Sequence, residues 1–253
     1  MPVDPVAATG YAEAGAAYER GRPGYPADAL ARLFAELGIG PGTHVLDLAA
    51  GTGKLTRELV GAGADVVAVE PVDGMRATLE RALPGVRALA GEAEAIPLAD
   101  GSVEAVVVAQ AFHWFDGDAA LAEIHRVLAP GGALGLVWNA RDETVPWVAR
   151  LTEIMEPYRG ETPGYKSGWR AAFERTNLFT PLESAEFRHV HELDAEGVVA
   201  RVASVSFIAA LPDDERERVF ARVREALPAD EVALPYRTDV FWCRRAPASR
   251  RSS

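Results

Sequence analysis

Four polar side chains fall where an α/β chain presents its ligand-binding edge: Asp47, Glu70, Gln110 and His113. Asp47 lies in His44-Val45-Leu46-Asp47-Leu48, an apolar run that ends in the small-residue turn Ala49-Ala50-Gly51-Thr52-Gly53. Glycines in such a turn let the backbone approach a ligand, and the helix N-terminus that follows favours polar or anionic groups. Glu70 closes the next apolar run, where a carboxylate can accept both hydroxyls of a ribose. Capping the helix that begins at Asp73 is its other possible use. Gln110 is the first residue beyond the dense run Val103 to Ala109, and His113 follows three positions on. A histidine there titrates near neutrality and can take a proton from a substrate hydroxyl or orient it.

These positions require strands and helices in strict alternation. Apolar runs predict strands over His44–Leu48, Asp65–Val69, Val86–Ala90, Val103–Ala109 and Ala133–Trp138. Between them, helical spacing predicts Lys54–Val60, Asp73–Leu83 and Ala119–Leu128, the last stopped by Pro130-Gly131-Gly132. Alternation of this kind implies a parallel sheet with right-handed crossovers. Ahead of the core, helices are expected over Val6–Arg20 and Ala27–Leu37, separated by the rigid turn Gly21 to Pro26. Beyond residue 140 the pattern loosens into two helices within 146–176 and a strand over Glu183–Leu193. Helices over Glu196–Ala210 and Asp213–Leu227 and a final strand over Glu231–Cys243 complete it.

Composition narrows the class. Acids outnumber bases 37 to 26, a net charge of −11, the wrong sign for tracking a nucleic-acid backbone. No apolar run is long enough to span a membrane, and the N-terminus has no basic and apolar signal pattern, so a cytoplasmic protein is expected. The single cysteine, Cys243, excludes an internal disulfide and a cysteine-rich zinc site. His189 and His191 share one face of a strand without acidic or thiol partners. No metal site is expected from them, and His44 and His125 are read as structural too.

The turn lacks the first and third glycines of a G-x-G-x-x-G dinucleotide fingerprint. Val45 to Gly53 instead resembles the first motif of the class I S-adenosylmethionine-dependent methyltransferases, V-L-D-x-G-x-G-T-G, with Ala49 where that family usually has glycine. Val67-Ala68-Val69-Glu70-Pro71 is similar to its second motif, and Gly91 to Leu98 to its adenine-binding segment. Val106 to Phe115 resembles the fourth motif of a small-molecule subgroup. Arg126 to Gly132 is like its R-x-L-x-P-G-G turn, Tyr18 to Pro26 like its lid and Leu234 to Val240 like its last strand. The resemblance spans roughly residues 16 to 245.

The resemblance implies S-adenosylmethionine as cofactor and S-adenosylhomocysteine as product. Glu70 would take the ribose, Met75 the adenine face, Glu92 the adenine amino group and the Ala93 N–H a ring nitrogen. Ala49, Gly51 and Gly53 would form the turn beside the ligand. Asp47 would hold the methionine amino group, or alternatively fix the turn by accepting backbone N–H groups. Tyr18 and Arg22 would close over the methionine end, with Arg22 suited to its carboxylate, and Gln110 would touch the sulfonium or amino end. His113 is the catalytic or orienting candidate.

The implied fold is a doubly wound, Rossmann-like seven-stranded mixed α/β sheet with an antiparallel last strand. Its expected parts are lid helices over 1–40, a cofactor core over 41–140 and a cap over 141–182. Completing strands and helices over 183–245 and a disordered tail over 246–253 follow. The implied function is in-line transfer of a methyl group to a small-molecule acceptor, with oxygen favoured by analogy. An aromatic cap suits a carboxylic acid, a phenol or a polyketide equally. A nicotinamide-dependent oxidoreductase and a nucleoside-binding, non-catalytic relative stand as alternatives.

Overall fold

The core strands pair because their apolar residues need cover on two faces. In the computed structural model, which describes residues 21–164 and 168–247, β1 (His44–Leu48) lies between β2 (Asp65–Val69) and β4 (Val103–Ala109), parallel to both. Successive residues point to opposite faces. Leu46, Leu48, Val106 and Val108 enter one cluster with Leu121, Ile124 and Val127 of α4 (Gly117–Val127). Val45, Ala105 and Val107 enter the other, against α1 (Ala27–Leu37) and α2 (Lys54–Gly61). Cover on both sides is why these runs are continuously apolar rather than alternating.

The sheet has seven strands in the order β3-β2-β1-β4-β5-β7-β6, with β3 at Arg87–Leu89 and β5 at Leu128–Arg141. β7 (Glu231–Arg244) runs antiparallel between β5 and β6 (Glu183–Asp194). The expected mixed sheet with an antiparallel last strand is the one observed. Chain order reverses between β1 and β4. A crevice opens there at the carboxyl ends of the strands, the usual ligand position in open α/β sheets.

Three local expectations change. β5 starts at Leu128 and takes in Pro130-Gly131-Gly132, because a register shift between Val103 and Ala105 absorbs the irregularity. β3 is shorter at both ends. The helix expected over Glu196–Ala210 breaks at Ser204-Val205 into α7 (Ala195–Ala203) and α8 (Ser206–Ala209). Asp194 caps α7, its carboxylate accepting from Gly197 N at 2.7 Å.

The 141–182 stretch divides in two. α5 (Pro146–Met155) packs with α7, α8 and α9 (Asp213–Ala226) through Leu151, Ile154, Val198, Val202, Ile208, Val219 and Val223. α6 (Arg170–Arg175) packs on α4 instead. Beside it Trp169 stacks on Trp138, ring centroids 4.6 Å apart. α3 (Asp73–Ala82) buries Met75 and Leu79 beside the glycine turn. The lid helix over Val6–Arg20, Tyr18 and the end of the tail lie outside the described residues.

Candidate cofactor and acceptor site

The turn after β1 is tight for reasons visible in its backbone. Gly53 N donates to Ala50 O at 3.0 Å, and Gly53 has φ of 87°. A β-carbon there would sit 3.0 Å from Leu79 Cγ, so both conformation and space demand glycine. Ala49 also adopts a left-handed φ, 57°, which an L side chain resists by about 1 kcal/mol. The alanine that departs from the resembled family's glycine therefore keeps the glycine-like backbone and carries the strain.

Asp47 is completely buried at the tip of β1. Its Oδ2 accepts the Thr56 hydroxyl at 2.6 Å, while Oδ1 is buried without a partner. Burial pushes its pKa up to about 7. The Thr56 hydrogen bond opposes that shift, and the neighbouring Glu70 charge adds to it. Asp47 thus holds Thr56, at the start of α2, through both its hydroxyl and its backbone.

Glu70 accepts from the backbone of two turns. Oε2 accepts Gly51 N at 2.8 Å and Oε1 accepts Val72 N at 2.9 Å, so it ties the two βα turns together and caps the approach to α3. It is buried, which raises its pKa against the pull of those two N–H groups. A carboxylate offers about four acceptor positions, so two remain for a diol. Met75 packs beneath Gly51, with its sulfur 3.8 Å from where a β-carbon would stand. Glu92 and the buried Ala93 lie past β3, in a segment held by Arg126, which donates to Ile96 O and Leu98 O at 2.8 Å each.

Gln110 and His113 form the other side of the crevice. Gln110 has φ of 60°, and its N–H donates to Val137 O at 2.9 Å, carrying the β4–β5 ladder one residue past the strand. His113 sits in a 3-10 turn, Phe112–Trp114, anchored by the buried Phe112 against Trp169 and Phe173. Trp138 Nε1 donates to His113 Nδ1 at 3.4 Å. Burial, and then the charge of Arg22, lower the His113 pKa to about 4. The ring is neutral at pH 7 with its proton on Nε2.

Two cavities meet at this edge. The smaller, about 40 Å³, lies between the turn at Ala49 to Thr52 and the segment Arg22 to Tyr25. The larger, about 1080 Å³, is lined by His113, Trp138, Arg141 and Phe207 among others. Arg22, Gln110, Asn139 and Arg201 line both. Arg22 is fixed to α7 by bonds from Nε to Ser204 Oγ (3.2 Å) and from Nη2 to Ser204 O (2.9 Å). Lys54 Nζ donates to Arg22 O and Asn139 Nδ2 to Gly24 O, at 3.0 and 2.9 Å. Gly21 makes this close approach possible: a β-carbon there would lie 2.4 Å from Arg201 N. The smaller cavity falls well below the ~300 Å³ of ordinary ligand pockets.

Sequence reasoning missed Arg141, Asn139 and Arg201. They lie on β5 and α7, far along the chain from the glycine turn, and nothing in their spacing points back to it. Arg201 alone carries a signal, a charged residue beside the apolar stripe of Val198 and Val202. His189 and His191 pack on Tyr236, and Thr238 Oγ1 meets His189 Nδ1 at 3.2 Å.

A family model described as a methyltransferase domain matches residues 46–136. A protein of Mycobacterium tuberculosis named as an uncharacterized methyltransferase is 43% identical over 236 residues, covering 88% of this chain and 90% of that protein. Among solved structures, the YcgJ protein of Bacillus subtilis superposes with a TM-score of 0.60 at 17% identity, covering 87% of this chain and 99% of the other. A geranyl diphosphate methyltransferase solved in complex with S-adenosylmethionine superposes with a TM-score of 0.52 at 17% identity, covering 87% and 85%. At such identities the structural likeness speaks to the fold.

Proposed function

This chain belongs to the class I S-adenosylmethionine-dependent methyltransferases, and from that premise we propose that its acceptor is a small molecule methylated on oxygen in the larger cavity. The nicotinamide alternative falls with the family assignment. One observation carries the reading. The cavity beside the glycine turn and the larger cavity share a wall made by Arg22, Gln110, Asn139 and Arg201. A methyl group passed between two ligands has to cross at such a shared wall.

The residues fit the cofactor chemically. Asp47 Oδ1 is a buried acceptor without a partner, as an ammonium group requires. Glu70 keeps unused acceptor positions for the ribose hydroxyls. Arg22, with Tyr18 ahead of it, is assigned to the methionine carboxylate. Met75, Glu92 and Ala93 are assigned to the adenine, Ala49, Gly51 and Gly53 to the turn that lets backbone approach, and Gln110 to the sulfonium side. When bound, S-adenosylmethionine supplies a sulfonium methyl open to in-line displacement, leaving S-adenosylhomocysteine.

The chain's own contribution is to bind and orient. Residues 41–140 hold the cofactor, and α5 with α7 and α8 closes the acceptor space. His113 meets the acceptor as an Nε2–H donor, because Nδ1 is taken by Trp138 and its low pKa makes it a poor base. Alignment of acceptor oxygen and methyl then supplies most of the rate.

The test is calorimetry with S-adenosylmethionine, followed by methyl-labelled cofactor with a panel of phenols, alcohols and carboxylic acids. Label recovered in an oxygen-methylated product together with S-adenosylhomocysteine is expected. Label found only on nitrogen, on carbon or on a macromolecule would overturn the reading.

A further inference from the structure

Arg141 ends β5 inside the larger cavity. Its guanidinium donates to Thr152 Oγ1 at 3.3 Å and approaches the Met155 sulfur at 3.9 Å. No carboxylate pairs with it among the described residues. Burial, and then repulsion from Arg201, lower its pKa to about 10. A half-buried cation without an anion is costly, and a ligand that completes the pair offsets that cost.

Arg201 stands beside it and is held rigidly. Its Nε donates to the hydroxyl of the buried Tyr236 at 3.0 Å, and Nη1 reaches Ser204 Oγ at 3.4 Å. Arg22 is close enough to add repulsion on Arg141, while Glu143 is the acidic neighbour that offsets it. Arg141 lines the larger cavity and not the smaller, so an anion that pairs with it belongs to the acceptor rather than to the cofactor. In a chain of net charge −11, such a cluster is not a product of composition.

The geometry points to a carboxylic acid as acceptor, its carboxylate drawn into the larger cavity by Arg141 and Arg201 and methylated there to a methyl ester. This rests on the larger cavity being the acceptor space. In the transfer, a carboxylate oxygen lone pair forms the new O–C bond, the S–C bond breaks, and its electron pair stays on sulfur. No proton is released. A phenol or alcohol would have to lose one, and His113 is poorly suited to take it. Planar guanidinium forks also match a carboxylate in two parallel hydrogen bonds.

The experiment titrates the S-adenosylhomocysteine-loaded protein with benzoate, succinate and citrate, each against its amide, reading Trp114 and Trp138 fluorescence. At least one acid should bind ten-fold or more tighter than its amide and raise the melting temperature. Arg141→Gln should bring that acid down to the amide's affinity, and Arg141→Lys, which keeps the charge, should recover part of the loss. Acids binding no better than amides, inorganic phosphate binding tighter than every acid, or Arg141→Gln leaving acid binding within threefold would each overturn the proposal. Methyl transfer to neutral phenols alone would overturn it too, while leaving oxygen methylation in the larger cavity intact.

Discussion

The indole N–H of Trp138 and Nδ1 of His113 meet at 3.4 Å, across 25 positions of sequence, and this contact decides which edge of the imidazole is left for a ligand. Trp138 is itself immobile, almost fully buried and stacked on Trp169. The histidine that the sequence marks as a candidate base is therefore delivered to the cavity as a donor.

His113→Ala should lower kcat about 10²-fold while leaving S-adenosylmethionine affinity within about threefold. Because its pKa lies near 4, the ring stays neutral from pH 6 to 8, and kcat should be flat over that window. Steady-state kinetics across pH, beside calorimetry, checks both. An inflection near pH 6.5 that disappears in the variant would restore the base role.

Asp47 has a folded pKa near 7, above its unfolded value of 3.8. Stability is therefore full below about pH 3.8, falls as pH rises through that window and levels off above about 7. Asp47→Asn should melt several degrees above the parent at pH 8, with the gain vanishing toward pH 4. The same change should weaken S-adenosylmethionine about ten-fold or more, as an amide does not balance an ammonium charge. Melting curves at three pH values and one calorimetric titration decide it. A variant less stable than the parent at pH 8 would contradict the burial argument.

Glu70→Ala should lose S-adenosylmethionine affinity by about 30- to 1,000-fold, the ~2–4 kcal/mol of two charge-assisted hydrogen bonds. It should also lower the melting temperature, since Gly51 N and Val72 N lose their acceptor. Glu70→Gln keeps an acceptor oxygen and should recover part of the stability with little of the affinity. Less than a threefold change in calorimetric affinity would place the ribose elsewhere.

Ala49→Gly should stabilise the protein by about 0.5–1 kcal/mol, as it relieves a left-handed alanine, and raise the melting temperature by a few degrees. Thermal unfolding monitored by circular dichroism is sufficient. A loss of stability would mean that the Ala49 methyl group makes packing contacts worth more than the strain.

What could be read from the sequence follows the range of each interaction. β1, β2 and β4 run over the residues that their apolar runs mark, because burial on both faces is written directly into Val45 to Leu48 and Val103 to Ala109. The glycine turn was legible because Gly53 is required by its own φ of 87°, a local property, while the contact with Leu79, 26 positions on, only adds to that demand. The wall shared by the two cavities was not. Arg22 meets Ser204 across 182 positions, and Arg201 meets Tyr236 across 35 through an antiparallel sheet edge. No local pattern encodes those approaches. The break at Ser204-Val205 escaped for a related reason, since the Ser204 carbonyl and hydroxyl that end α7 accept from Arg22, 182 positions away.

The place of β7 in the sheet bears on how the molecule comes into being on the ribosome. Among the described residues β6 pairs in the sheet with β7 alone, register for register from Glu183↔Trp242 to Asp194↔Glu231. β5 likewise waits for β7 to cover its outer edge. During synthesis the first five strands can assemble as soon as they emerge, but β6 is made before anything exists to bind it. Its twelve residues then present an open edge with the exposed Val190 near its middle. The wall of the larger cavity where Tyr236 of β7 holds Arg201 thus waits for the last strand. Nascent chains stalled before Glu231 would carry the glycine turn without Tyr236 and so without that hold on Arg201.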